Sequence, residues 1–135
     1  MTRRTIATVA LLVTDYDEAV AWFVQALGFE VRFDVGIADG KRWVCVAPGP
    51  GGAALLLARA ATEEQLALVG NQGAGRVSMI LETDDFARDH AAMRDRGVVF
   101  EEAPRHEPYG TVAVFRDLYG NRWDLLEPRN ENPAA

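Results

Sequence analysis

One cysteine, two histidines and no run of Lys or Arg are the scarcities of this 135-residue chain, and each excludes a class of function. Cys45 has no second thiol to pair with, so an internal disulfide is excluded. Flanked by Val44 and Val46, it reads as a small apolar filler rather than a nucleophile. A formal net charge of -6 without clustered cations argues against a grip on phosphate backbones, so nucleic acid is not expected as a partner. No apolar run approaches the roughly eighteen residues needed to span a bilayer. Arg3-Arg4 followed by Thr5 to Val13 resembles a signal peptide only superficially, because Asp15, Asp17 and Glu18 follow at once and no small-residue cleavage site is visible. These absences predict a cytoplasmic protein with neither membrane nor nucleic acid as partner. What remains, 49% hydrophobic and 25% charged, is ordinary for a globular domain able to bury a core.

The apolar pattern divides the chain into alternating strands and helices. Thr5 to Val13 is a β-branched run ending at Thr14-Asp15, where an N-cap oxygen can satisfy free helix N–H groups. From there Tyr16, Val20, Phe23 and Leu27 recur at helical spacing with Asp17 and Glu18 in the first turn, and Gly28 stops the helix. Phe29 to Val35, Arg42 to Ala47 and Ala53 to Ala58 read as strands, with Asp39-Gly40 as a hairpin turn and Pro48 to Gly52 as a loop. Thr62-Glu63-Glu64-Gln65 is a capping box opening a short helix to about Val69, and Gly70 to Gly75 is a glycine-rich connector. Asn130 to Ala135 is small and polar and is expected to fray.

After the connector the order repeats. Ser78 to Glu82 is strand-like, Asp84-Asp85 caps, and Phe86, His90, Met93 and Gly97 follow the spacing of the first helix. Thr14-Asp15-Tyr16 lies over Asp84-Asp85-Phe86, and Gly28 lies close to Gly97. The chain therefore reads as one domain, 1–135, built from modules at about 5–60 and 76–128 joined by a linker at 61–75. Each module is too small to bury its sheet face alone, so the two are expected to pair through their sheets. The expected fold class is α+β: two paired βαβββ modules forming a cup of mainly antiparallel sheet, with helices on the convex face.

The last element of the second module is the most informative. Thr111 to Phe115 and Arg122 to Leu126 are strands, and Asp117-Leu118-Tyr119-Gly120-Asn121 supplies a turn between them. A strand ending in Phe115-Arg116-Asp117, a turn closing on Gly120-Asn121, and an acidic residue three positions later at Asp124 resemble the signature of the vicinal oxygen chelate superfamily. That superfamily includes glyoxalase I, extradiol dioxygenases and the fosfomycin and bleomycin resistance proteins. The resemblance covers Ile6 to Pro128 and implies the same cup of paired modules.

The resemblance also locates the metal-ligand positions of its metal-dependent members, on the first and last strand of each module. Seven residues before the capping aspartates stand Thr8 and Ser78. The last strand of the first module offers Leu55, Leu56 or Leu57, and that of the second offers Asp124. One carboxylate among four positions does not hold a first-row cation, so neither metal nor other cofactor is expected. His90 is expected to be a half-buried helix residue. His106 is expected on a loop before the hairpin, with an ordinary exposed role favoured.

If Thr8 and Ser78 point into the cup, as the resemblance implies, strand alternation turns Ala10, Leu12, Ile80 and Glu82 inward with them, and Arg122, Asp124 and Leu126 share the cup face on the last strand. Val44, Val46, Val112 and Val114 suit packing under helices, which sends Trp43, Cys45, Ala113 and Phe115 inward. The candidate ligand-binding residues are thus Thr8, Trp43, Ser78, Glu82, Phe115, Arg122 and Asp124, in a pocket mostly apolar and aromatic. For Arg122 and Asp124, a charge pair near the rim weighs equally with ligand binding. Such a pocket fits a metal-independent protein, resembling the bleomycin-type resistance proteins, that sequesters a small aromatic or amphipathic compound. The alternative is a lyase, isomerase or dioxygenase using Asp124 as metal ligand or general base. A third reading is a regulatory or structural dimer with no small-molecule ligand. The resemblance also implies a homodimer.

Overall fold

The computed structural model describes residues 2–129, so the fraying expected for 130–135 lies outside the described residues. The chain divides into two compact units, one ending at Val69 and one beginning at Gly70. The mixed α+β class with two open sheets is as expected.

In the first unit, β1 (Thr8–Val13) leads into α1 (Tyr16–Leu27), followed by β2 (Glu30–Ala38), β3 (Lys41–Ala47), β4 (Ala54–Arg59) and the short α2 (Glu63–Leu68). Asp15 starts α1 by accepting the Glu18 N–H at 2.8 Å. Gly28 ends it at φ 72°, a left-handed conformation that costs glycine nothing, while the Phe29 N–H returns to the Phe23 carbonyl at 3.0 Å. The helix presses Phe23, wholly buried, toward the sheet side that also buries Leu11 and Val13. Truncating Phe23 to Ala removes about 3–5 kcal/mol of such packing. The capping box of α2 forms, with Gln65 N–H donating to the Thr62 hydroxyl at 3.1 Å and the Gln65 side chain accepting from Ala61 N–H at 2.7 Å.

The second unit repeats the plan. It contains β5 (Val77–Glu82), α3 (Phe86–Asp95), β6 (Val99–Phe100), β7 (Arg105–Glu107), β8 (Gly110–Arg116) and β9 (Arg122–Pro128). Asp85 caps α3 through Arg88 N–H at 3.0 Å, and Val98 N–H returns to the Met93 carbonyl at 3.0 Å. The strand orders are β1-β4-β3-β2 and β5-β9-β8-β6. In each sheet the last long strand lies beside the first and parallel to it, and the remaining pairings are antiparallel. The internal duplication read from the capping aspartates is therefore a duplication of topology.

One expectation is corrected here. His106 lies on β7, not on a loop: residues 105–107 pair with β8, and the His106 Nδ1 stands 3.3 Å from the Thr111 hydroxyl. Pro104 precedes the segment and Pro108 begins the turn into β8, and each disfavours helix for the residue before it. Among the described residues no helix is long and apolar enough to cross a membrane.

Candidate functional site

Cross-strand register decides which side chains share a face. In the first sheet Thr8 pairs with Ala54, Cys45 with Leu56 and with Phe33, and Trp43 with Val35. Partners point the same way, so Thr8, Ala10, Phe33, Val35, Trp43, Cys45 and Leu56 share one face, while Leu11, Val13, Val44 and Val46 face α1. Trp43 and Cys45 thus share the face of Thr8, as alternation had it. Cys45 is buried against Ala47, Ala54 and Leu56, and burial pushes its thiol pKa up, so it is not a ready nucleophile.

This face is apolar and open. Phe33, Val35, Ile37 and Trp43 keep 56%, 57%, 59% and 45% of their surface exposed. Leaving four large side chains in water is costly, at roughly 25 cal/mol per Å² of apolar area, and it marks a surface that covers something. A cavity of about 280 Å3 opens at Trp43, Ile37 and Leu56 and is rimmed by Lys41, Arg42 and Arg59. Arg42 is held over the Tyr16 ring and salt-bridged to Asp17 at 2.9 Å and to Asp34 at 2.8 Å, so the rim is pre-ordered. Sequence reasoning ended this strand at Val35 rather than Ala38 and did not use its face; the signal was the apolar alternation Phe33, Val35, Ile37.

In the second sheet Ile80 pairs with Asp124 and Asp124 with Val114, while Glu82 pairs with Leu126 and Leu126 with Val112. Arg105 pairs with Val112 and joins that face. The assignment of Phe115 to the cup is therefore corrected. Phe115 pairs with Trp123 and stacks on it at 5.6 Å, and it contacts Phe100, whose ring meets His90 of α3. It is wholly buried on the helix side. Ala113 goes with it, and Val112 and Val114 turn to the Asp124 side instead. The error came from reading β-branched residues as helix-facing when both faces of β8 are apolar. His90, half-buried and stacked on Phe86 at 5.2 Å, is the helix residue expected.

Asp124 is half-buried, and its carboxylate makes no hydrogen bond among the described residues. Burial raises its carboxyl pKa; Arg105 opposes the shift, Glu102 adds to it, and Arg122 opposes it weakly. Glu102 accepts from Arg105 Nε at 3.0 Å and from Val114 N–H at 2.9 Å. Sequence reasoning missed this Glu102–Arg105 pair, which only β7 brings beside β8. Ser78 is exposed beside Gly73, and Glu82 is exposed at the mouth of a cavity of about 490 Å3 shared with Asp84 and Glu127. Arg122 is turned to Glu101, its Nε and terminal nitrogen each 3.0 Å from the carboxylate, which is the charge-pair reading with a different acidic partner.

The metal-ligand positions do not fit a metal. Thr8 and Leu56 supply no nitrogen, sulfur or carboxylate donor, and among the described residues no three His, Cys, Asp or Glu side chains converge.

Residues 5–125 match the family model for the Glyoxalase/Bleomycin resistance protein/Dioxygenase superfamily. A protein of Shewanella frigidimarina (strain NCIMB 400) is 48% identical over 97% of this chain and 98% of its own length. YetH of Bacillus subtilis (strain 168) is 27% identical over 90% of this chain and 97% of its own. Among solved structures, UcmS2 is 30% identical with a TM-score of 0.80, covering 93% of this chain and 99% of the other. TnmS3, an antibiotic binding protein from Streptomyces sp. CB03234, is 27% identical with a TM-score of 0.78, covering 96% and 99%.

Proposed function

This chain belongs to the Glyoxalase/Bleomycin resistance protein/Dioxygenase superfamily, and from that premise we propose that it is a metal-independent binding protein that sequesters an aromatic or amphipathic small molecule. The observation that carries this is the open face of the first sheet, where Trp43 stands nearly half exposed beside Phe33, Val35 and Ile37. A flat organic compound stacked on Trp43 covers that apolar area, with Lys41, Arg42 and Arg59 at the rim of the cavity meeting polar substituents. Thr8 serves as a polar anchor on this face, and Ser78, Glu82 and Asp124 are the ligand-facing residues of the second unit in this reading. The similarity to TnmS3 supports a small-molecule ligand of that general kind. The domain is a single one spanning both modules, cytoplasmic and homodimeric, with neither nucleic acid nor membrane as partner.

Asp124 favours a second reading. A half-buried carboxylate with a raised pKa and no hydrogen-bond donor is available to take a proton, so the chain could act on its ligand with Asp124 as general base. Asp124→Asn then abolishes turnover, whereas a pure binder only loses affinity.

Native mass spectrometry of protein purified without chelator tests the proposal. A metal-free dimer, alone or with an organic adduct, supports it. Stoichiometric nickel, zinc, iron or manganese overturns it in favour of a metalloenzyme.

A further inference from the structure

The second unit contains a polar cavity that the small-molecule reading does not use. It is about 220 Å3 and lies between the connector 70–76 and the β8–β9 turn, walled by Gly70, Gly73, Gly75 and Gly120 together with Arg76, Arg116 and Arg122. Glu101 is the one carboxylate in its lining. That carboxylate is held by two of the arginines, Arg116 Nε at 2.9 Å and the Arg122 terminal nitrogen at 3.0 Å. Both guanidinia are further fixed on backbone carbonyls, Arg116 on Gly120 at 3.2 Å and Arg122 on Gly75 at 2.9 Å. The third, Arg76, has no hydrogen bond or ion pair to its side chain among the described residues. Three guanidinia against one carboxylate leave an excess of positive charge in a chain whose net charge is -6.

The walls are built to stay concave. A Cβ on Gly70 would come within 1.9 Å of the Tyr119 carbonyl oxygen, and one on Gly73 within 2.7 Å of the Arg76 carbonyl oxygen. Only glycine allows the connector to lie this close, and Gln72 N–H clips it to the Asn121 side chain at 3.2 Å. Asn121 is itself buried and held by Asp117 at 2.9 Å. The N–H groups of Gly73 and Gly75, in the cavity wall, donate to nothing among the described residues. Free guanidinium and free backbone N–H groups around one concavity are what a tetrahedral oxyanion requires.

We propose that this cavity binds a phosphate-type oxyanion, with Arg76 as the recruiting cation and the Glu101-braced Arg116 and Arg122 as its fixed wall. The Arg–Glu–Arg brace holds the two wall guanidinia in place before the anion arrives, so the entropic cost of ordering them is met by the fold.

The test titrates the full-length protein with inorganic phosphate at constant ionic strength, read by phosphorus NMR line width and by thermal melting against matched chloride and acetate. Saturable binding of phosphate, with acetate and chloride inert, is the expected result. Arg76→Gln weakens it about tenfold, the cost of one charge-assisted hydrogen bond, and Arg76→Lys restores most of it. Arg76 is exposed and its side chain makes no hydrogen bond or ion pair among the described residues, so both variants are expected to fold, which circular dichroism checks. Parallel titration with glycerol phosphate separates a free ion from an esterified group, since the ester alone can fill more of the cavity. Equal response to phosphate and acetate, no saturable response to phosphate, or an Arg76→Gln variant that binds like the parent would overturn the assignment.

Discussion

The Asp117 carboxylate accepts the indole N–H of Trp123 at 3.0 Å across the β8–β9 turn, and both residues are buried. The same oxygen takes the Asn121 side-chain amide at 2.9 Å, while the other collects the backbone N–H groups of Tyr119, Gly120 and Asn121 at 3.0–3.1 Å. One side chain thus closes the turn and anchors the Trp123 ring against Phe115.

Removing it should be expensive. Asp117→Ala removes the side-chain acceptor of five donors, of which Gly120 N–H keeps the residue 117 carbonyl at 3.0 Å, and each buried donor left without a partner costs about 1–3 kcal/mol where water cannot reach it. Turn N–H groups are partly rescued by solvent, so the expected loss is about 3–5 kcal/mol in urea unfolding. Trp123→Phe keeps an aromatic ring but loses the indole N–H bond and part of the buried volume, with an expected loss of about 2–3 kcal/mol. A loss for Asp117→Ala no larger than that for Trp123→Phe would contradict the role given to Asp117.

His90 should make stability fall on mild acidification. Burial, followed by the nearby Arg94, lowers its pKa below the ordinary 6.5. Below that value the unfolded chain takes up a proton that the folded chain still refuses, so stability drops as pH falls from about 6.5 to the lowered folded value. Above 6.5 the neutral ring contributes in full. His90→Phe, packing in the same place against Phe86 and Phe100, should flatten the melting temperature across that window.

Asp124 should behave in the opposite sense. Its folded pKa is raised by burial, so between the ordinary 3.8 and the raised value the folded state holds more protons than the unfolded. Stability falls as pH rises through that window, and the cost is complete at neutral pH. Asp124→Asn should therefore melt at a higher temperature than the parent at neutral pH, with the difference vanishing at acid pH. A variant that is less stable at pH 7 would mean that Asp124 is a structural carboxylate. Stabilisation on removal is the mark of a residue kept for its chemistry.

The repeat was legible in the sequence because its signals are local. Asp15 and Asp85 cap by accepting an N–H three residues on, and Gly28 and Gly97 follow the helices in a conformation few other residues tolerate, so single residues announce each helix. The face of β1 came from the ligand position that the resemblance gives Thr8, which puts Leu11 and Val13 on the opposite side, where both are buried.

The face of β8 was not. Val112, Ala113, Val114 and Phe115 are all buried, so hydrophobicity carries no parity, and only pairing with Trp123 and Asp124 on β9 decides it. Glu102 and Arg105 escaped for a related reason: they approach Asp124 through the short β7, whose three residues carry too weak a pattern to be read as a strand. The arginines around Glu101 are scattered through the sequence at 76, 116 and 122 and meet only when the connector folds onto the hairpin turn.

The central claim is best tested by isothermal titration of 8-anilinonaphthalene-1-sulfonate, an amphipathic aromatic probe, into chelator-treated parent protein and the Trp43→Ala variant. Trp43 is 45% exposed, so its removal leaves the fold intact. The account predicts saturable binding to the metal-free parent and a loss of about tenfold or more on Trp43→Ala, the size expected for an aromatic anchor. Equal affinity in the two proteins, or binding that appears only when zinc, nickel, iron or manganese is restored, would contradict it.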